Sequence, residues 1–270
     1  MTVRQPRLRF QAAIALVVLT IGCSSEPSTP EEKAARGDEL LRKMSDTLKG
    51  AQSFSFTVVE SHERVRRNGE KQPYTLKREV VVRRPNRLWS HTTGSDDRDV
   101  KVTYDGANVT VVGDKQKIYA TIKAPATLDE TLDLISERYD LRVVVADFLY
   151  STPYESFAEH NAQGGWVRRT TVDGRSCDEV AYSVKAVDFM LSVTTQEPTL
   201  PCLAQITFKE EPGQPVTRLV FSNWNLQAQA PDAQFVANVP QGYEQIPIVE
   251  RIPKNELKQD AAKAMGVDKK

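Results

Sequence analysis

Reactive chemistry is what this sequence holds least of. Its three histidines, His62, His91 and His160, stand far apart, and none shares an H-x-x-x-H or similar ligand spacing with another. That argues against a histidine metal site. There is no G-x-S-x-G elbow and no Gly-rich phosphate loop, so an α/β-hydrolase nucleophile and a nucleotide cradle are both unsupported. The acidic run Asp96-Asp97-Arg98-Asp99 lacks the ligand alternation and distal Glu of an EF-hand loop and reads as a solvated turn. Carboxylate pairs at Glu31-Glu32 and Glu210-Glu211 lie beside prolines in connecting segments. The expectation is a protein with no cofactor, no metal and no catalysis.

Net charge is also missing. Lysine and arginine total 36 and aspartate and glutamate total 36; loss of residues 1–22, with three arginines and no carboxylates, would leave a net −3. Nucleic-acid binding calls for a basic face, so that partner is excluded as an expectation. The short clusters Arg64-Arg66-Arg67, Arg83-Arg84-Arg87 and Arg168-Arg169 read as solvated faces or defended strand edges, with lipid headgroups as the rarer alternative. A membrane-spanning run is absent too: the apolar stretch from Ala12 to Gly22 falls short of the roughly 20 residues a bilayer requires.

What that stretch does have is order. Arg4, Arg7 and Arg9 precede it, Cys23 follows it, and Ser24-Ser25-Glu26-Pro27-Ser28-Thr29-Pro30 comes next. Leu19-Thr20-Ile21-Gly22-Cys23 resembles a bacterial lipobox, with a small residue before the cut and Thr20 where leucine is usual. The bland alternative is an ordinary signal peptide or short anchor with an incidental cysteine. The lipoprotein reading makes residues 1–22 a signal peptide, Cys23 the lipidation site and 23–37 a flexible tether. It implies a membrane partner through the N-terminal lipid, with two or three acyl chains anchoring firmly. Ser24 resembles lipoproteins sent to the outer membrane, facing the periplasm. Cys177 and Cys202 remain as an even pair in an oxidising compartment, with 24 residues between them. In a plain three-strand meander over 176–209 they would sit about 10 Å apart, too far to bridge unless the strand ends curl inward.

Periodicity predicts a helix over 31–50, with Leu40, Leu41, Met44 and Leu48 on one stripe and Gly50 as its stop. At Phe54 the period becomes two. Strands are predicted over 54–59, 76–83, 87–92, 100–104, 109–112 and 117–122, joined by turns such as Asp105-Gly106 and Gly113-Asp114. Loops this short permit only antiparallel neighbours. Thr127 and Glu130 resemble a capping box before Leu128, Leu132 and Ile135. Residues 140–150 are assigned to helix from their context against their β-branched run, and 153–157 to a short helix. Strands resume over 165–172, 177–184, 188–195, 203–209 and 217–224. Trp89, Trp166 and Trp224 all fall in strands, as core or rim packing or, if clustered at a barrel mouth, as a gate. Residues 38–252 read as one α+β, mainly β domain, and 253–270 as a polar tail.

This order of elements resembles the LolA/LolB family of periplasmic lipoprotein carriers and the RseB N-terminal domain that shares its fold. It is closest to an uncharacterised bacterial family of predicted periplasmic proteins near those carriers. The residues carrying the closer likeness are Tyr104-Asp105-Gly106, Leu128-Asp129-Glu130-Thr131-Leu132, Ala146-Asp147-Phe148-Leu149 and Asp173-Gly174-Arg175-Ser176-Cys177, leading into Asp188-Phe189 and Leu200-Pro201. The overlap spans about 38 to 245. The resemblance implies a curled antiparallel sheet, an unclosed half-barrel with helices over its concave face and an apolar cavity between them.

Phe54, Phe56, Val58, Val80, Val82, Phe189, Leu191, Ile206, Phe208, Leu219 and Phe221 are the expected lining of such a cavity. The alternative for each is ordinary packing, since every one-sided sheet buries alternating residues. The expected function is binding or carriage of a lipid, a lipoprotein acyl chain or another amphiphile. An RseB-like sensory or interaction module with an envelope protein partner is the second reading, and a purely structural envelope lipoprotein the third.

Overall fold

The computed structural model describes residues 26–250 apart from 140, 142 and 159–162. Cys23, the signal segment of 1–22, His160 and the tail of 253–270 therefore lie outside the described residues.

Helix α1 spans Pro30–Gly50. Thr29 caps it by accepting the Glu32 N–H, and Glu32 returns a carboxylate to the Thr29 N–H, so two orphan amides are satisfied at once. Pro30 adds a pre-set φ at the first turn. These local signals start the helix inside the stretch expected to be tether.

Six strands follow: β1 (Ser53–Val65), β2 (Lys71–Arg83), β3 (Arg87–Gly94), β4 (Asp99–Tyr104), β5 (Asn108–Gly113) and β6 (Ile118–Lys123). An insertion comes next, made of α2 (Leu128–Tyr139), a 3-10 turn at Ala146–Phe148 and α3 (Pro153–Ala158). Five more strands complete the meander: β7 (Gln163–Val172), β8 (Arg175–Ser183), β9 (Val187–Thr194), β10 (Pro201–Phe208) and β11 (Val216–Asn225). A 3-10 turn at Asp232–Phe235 and the two-residue β12 (Glu244–Gln245) follow.

All twelve strands form one sheet, ordered β12-β6-β5-β4-β3-β2-β1-β11-β10-β9-β8-β7. Pairing of β1 with β11 joins two consecutive meanders through the middle of the sheet. The outer strands β7 and β12 are not paired to each other, so the curl stays open as an α+β half-barrel. Among the described strands only β12 runs parallel to its neighbour, laying a short cap along β6.

Alternation assigns the faces. Phe54, Phe56, Val58, Val80, Val82, Leu191, Leu219 and Phe221 belong to one core cluster with Leu40, Leu41, Met44 and Leu48 of α1 and Leu128, Leu132, Val145, Phe148 and Leu149 of the insertion. This is the concave side. Helix α1 crosses β7 there at a glycine contact, where a Cβ on Gly37 would lie 2.7 Å from the Gly165 Cα.

On the convex side, residues 231–246 strap across β3 to β6, burying Phe235 and bonding the Tyr243 hydroxyl to Asp114. A separate small cluster of Val172, Cys177, Cys202 and Leu203 also lies on that side.

Two expectations need correction. The described part of residues 140–150 is not a helix but turns around a single 3-10 turn. Val145, Phe148 and Leu149 all turn inward, and the chain beyond them is held by distant side chains, Arg84 taking the Leu149 and Tyr150 carbonyls and Asp129 the Ser151 N–H, in place of a continuing helical ladder. The strands β1 and β2 also run much further than their apolar stretches, to Val65 and from Lys71. Their outer halves are too polar to read as strand.

Candidate functional site

The concave face has a sealed centre and two different ends. At the centre, β1 and β11 stack their aromatic residues. The rings of Phe56 and Trp224 lie 4.5 Å apart, and Phe221 meets Phe56 at 5.7 Å. Phe148 of the insertion closes on Phe221 edge-on at 4.8 Å. Asn223, with φ of 54°, breaks the alternation of β11 and turns Trp224 onto the face of Phe221.

Eight of the eleven expected lining residues, Phe54, Phe56, Val58, Val80, Val82, Leu191, Leu219 and Phe221, are buried in this packing. Phe189, Ile206 and Phe208 stay partly exposed toward the β9–β10 side. The tryptophans do not cluster. Trp89 is on the convex face, Trp166 bonds Asp178 (3.3 Å) beneath α1, and Trp224 bonds the Pro201 carbonyl (3.0 Å).

One end is closed by Arg84, the residue after β2. Its guanidinium donates to the carbonyls of Leu149 (2.9 Å) and Tyr150 (2.7 Å) in the insertion and lies 5.4 Å from the Phe54 ring. Its Nε is buried with no partner among the described residues. Burial lowers its pKa from the usual arginine range, opposed by Asp129. Asp129 itself accepts from the N–H (3.0 Å) and hydroxyl (2.5 Å) of Ser151.

Further polar bonds hold α3 to α1. Tyr154 N–H donates to Ser45 (2.9 Å), its hydroxyl meets Asp38, and Arg42 sits 4.0 Å over its ring. Tyr182, beneath α1, has its pKa pushed up to about 12 by burial and by the nearby Asp38 and Tyr154.

The other end is open and polar. A recess of about 290 Å³ is lined by Glu60, His62, Tyr74, Leu76, Arg78, Arg98, Val144, Phe208 and Thr217, with Glu63, Glu211 and Pro215 at its rim. Its floor was not legible as a site from the apolar pattern. Glu60 is 1 % exposed and accepts from Arg78 Nε (2.5 Å), Arg78 Nη2 (3.4 Å) and His62 Nε2 (3.0 Å). Burial pushes the Glu60 carboxyl up, but the bonds from His62 and Arg78 outweigh it and hold it below the usual carboxylate range.

The missed signal is parity. Glu60 and His62 continue the inward series of Phe54, Phe56 and Val58, and Arg78 continues that of Val80 and Val82.

His62 Nδ1 also lies 3.0 Å from the Thr217 hydroxyl, so the order Glu60–His62–Thr217 has the connectivity of a nucleophile relay. The surroundings do not complete it. Thr217 is 5 % exposed in a strand paired on both sides, which commits nearby amides to the sheet rather than to an oxyanion. Among the described residues no group of three or more His, Cys, Asp and Glu could hold a metal ion, and no helix is long and apolar enough to cross a membrane.

Cys177 and Cys202 are joined, with Cα atoms 6.9 Å apart. The flat meander would have kept them near 10 Å. A register shift between Pro201 and Leu203 instead turns Cys202 to the convex side, where Cys177 sits at the last pairing of β8 with β9.

Comparison with known proteins adds a family and a set of likenesses. No curated protein sequence matches the chain. Among solved structures it is similar to an uncharacterised conserved protein of Thermus thermophilus, at 8 % identity and a TM-score of 0.46 over 77 % of this chain and 97 % of that one. It is similar to the Mycobacterium tuberculosis lipoprotein LppX, at 14 % identity and a TM-score of 0.44, covering 71 % and 96 %. The Pseudomonas aeruginosa MucA/MucB complex gives 16 % identity and a TM-score of 0.41 over 75 % of this chain and 61 % of that one. A family model matches residues 37–249, nearly the whole half-barrel, and the chain belongs to that family, described as predicted periplasmic protein (DUF2092).

Proposed function

We propose that this protein is a non-enzymatic periplasmic binder of a lipid, a lipoprotein acyl chain or another amphiphile, received on the concave face of its half-barrel. The observation that carries the reading is the nature of that face's cover. Phe56 and Phe221 are roofed by Phe148 on an insertion between β6 and β7, which is pinned at its margins by side-chain bonds such as those of Arg84 and Tyr154. A roof carried on an insertion between two strands can lift without breaking the sheet. An acyl chain that replaced it would gain about 0.8 kcal/mol per buried CH2. Sixteen carbons thus offer on the order of 12 kcal/mol against the lost packing of Phe148 and Leu149.

Anchoring through an acylated Cys23, with the domain above the outer membrane, completes the proposal. The lipobox-like residues before Cys23 support it.

The test is native mass spectrometry of residues 24–270, exported to the periplasm and purified without detergent. A stoichiometric lipid adduct is expected. An apo mass that takes up no added lipid sinks the reading. The well-filled concave centre favours one second reading, a sensory or interaction module that docks an envelope protein while its core stays closed. That reading expects full activity from a protein whose insertion is cross-linked to the sheet.

A further inference from the structure

The open end of the concave face differs from the sealed end in what its polar groups still have to give. At the sealed end Arg84 is committed to two carbonyls of the insertion. In the recess, by contrast, the unused groups are donors. Arg78 bonds Glu60 through Nε and Nη2, while its Nη1 makes no hydrogen bond among the described residues. Arg98 gives only Nη2 to Asp96, at 3.0 Å. The Tyr74 hydroxyl makes no hydrogen bond among the described residues, although its ring is held by His62, stacked at 4.9 Å, and by Arg64, 5.1 Å away.

The acceptors are already occupied. Glu60 takes Arg78 and His62, Asp96 takes Arg98, and Glu63 takes Lys71 (2.8 Å) and the Val216 N–H (3.0 Å). Glu211 lines the rim as well, so carboxylates outnumber guanidiniums around the recess, which selects through its spare donors rather than through net charge. Guanidinium nitrogens only donate, and their strongest bonds go to oxyanions. Beside these donors the wall is apolar, made by Leu76, Val144 and Phe208. Val144 belongs to the insertion, so this wall is continuous with the roof over Phe221.

We propose that the recess holds the oxyanion head, carboxylate or phosphate, of a single-chain amphiphile, with Arg78 Nη1, Arg98 and the Tyr74 hydroxyl donating to it and the chain running past Val144 beneath the insertion. This rests on the amphiphile reading above and adds the class of head that is recognised. It also gives the chain a direction, since the head stays at the open end and the tail points to Arg84. The volume suits a head and the first methylenes: about 290 Å³ is at the lower end of ligand sites.

The experiment compares oleate with methyl oleate, which keeps the chain and loses the charge, and adds oleoyl lysophosphatidic acid and inorganic phosphate as two further arms. Binding to the delipidated protein, residues 24–270, is read by calorimetry. Oleate and the lysophosphatidic acid are expected to bind at least about tenfold more tightly than the ester. The double variant Tyr74→Phe, Arg98→Gln is expected to erase that preference while leaving ester binding and the melting temperature as they were. Arg78 is left intact, because its removal would strand Glu60.

Equal affinity for acid and ester in the unsubstituted protein overturns the head site and leaves the half-barrel reading standing. Inorganic phosphate binding as tightly as oleate, with the same loss in the double variant, assigns the recess to a free anion and overturns the amphiphile source. Failure of every lipid to bind removes the amphiphile reading and this site with it.

Discussion

Two arginines on the line of the central strand β2, six residues apart, do opposite things. Arg84 is joined to the insertion and closes its end of the half-barrel, whereas Arg78 is joined to the sheet itself, through Glu60, and leaves its end open. The partner decides the outcome. A guanidinium bonded to main-chain carbonyls of an inserted segment ties that segment down. One neutralised by a neighbouring strand keeps a charged pair buried and a recess above it.

The largest break in this comparison should come from Arg78→Ala. It leaves a carboxylate that is 1 % exposed with His62 as its remaining partner, and destabilisation of about 3 kcal/mol is expected in urea unfolding. The double change Glu60→Leu, Arg78→Leu should recover most of that loss, since an apolar pair replaces the ionic one. If both variants unfold at the same urea concentration, the ion pair is not what supports the open end.

Next comes a change that touches neither end. Cys177→Ser with Cys202→Ser removes a bridge on the convex face and should cost about 3 kcal/mol through the freed loop. Hydrogen exchange at residues 149–151 and at 60–62 should then keep the same ratio. A shift at one end only would show that the two faces are coupled.

Arg84→Met sharpens the comparison at the sealed end. Loss of two charge-assisted bonds to the insertion is expected to cost about 1–3 kcal/mol, and exchange at residues 149–151 should rise. Binding of oleate should become faster, because the roof lifts more often. Unchanged exchange would remove Arg84 as the tie.

The mildest perturbation is acid. Glu60 has its pKa held down by His62 and Arg78 against burial, so its stabilising contribution is present above the ordinary glutamate range, near about 4.3. It is lost as pH falls through the lower folded value. Urea midpoints measured from neutral pH down to strongly acidic pH should therefore fall less steeply for Glu60→Gln than for the unsubstituted chain. Parallel curves would mean that Glu60 is not an acid-sensitive support.

Much of this molecule could be read before the structure. The α1 stripe of Leu40, Leu41, Met44 and Leu48, the turns at Asp105-Gly106 and Asp173-Gly174, and the six-then-five count of strands come from local periodicity and turn chemistry. The apolar inward series was legible for the same reason. Its polar continuation, Glu60, His62 and Arg78, was not, because a charged residue at an inward position looks like the end of a strand until its partner across the sheet is known. Residues 140–150 failed differently. The carbonyls of Leu149 and Tyr150 are taken by Arg84 and the next N–H, of Ser151, by Asp129, from far along the chain, and local propensity carries no information about such partners.

The sequence alone determined a mixed fold built on antiparallel hairpins, because periodicity and turn chemistry depend on neighbours within a few residues. Only the tertiary structure decided the rest. Pairing of β1 with β11 joins the two meanders, and the shift at Pro201 and Leu203 brings Cys202 round to Cys177. Whether a half-buried arginine seals or opens its end of the half-barrel depended on which distant oxygen the fold placed against it.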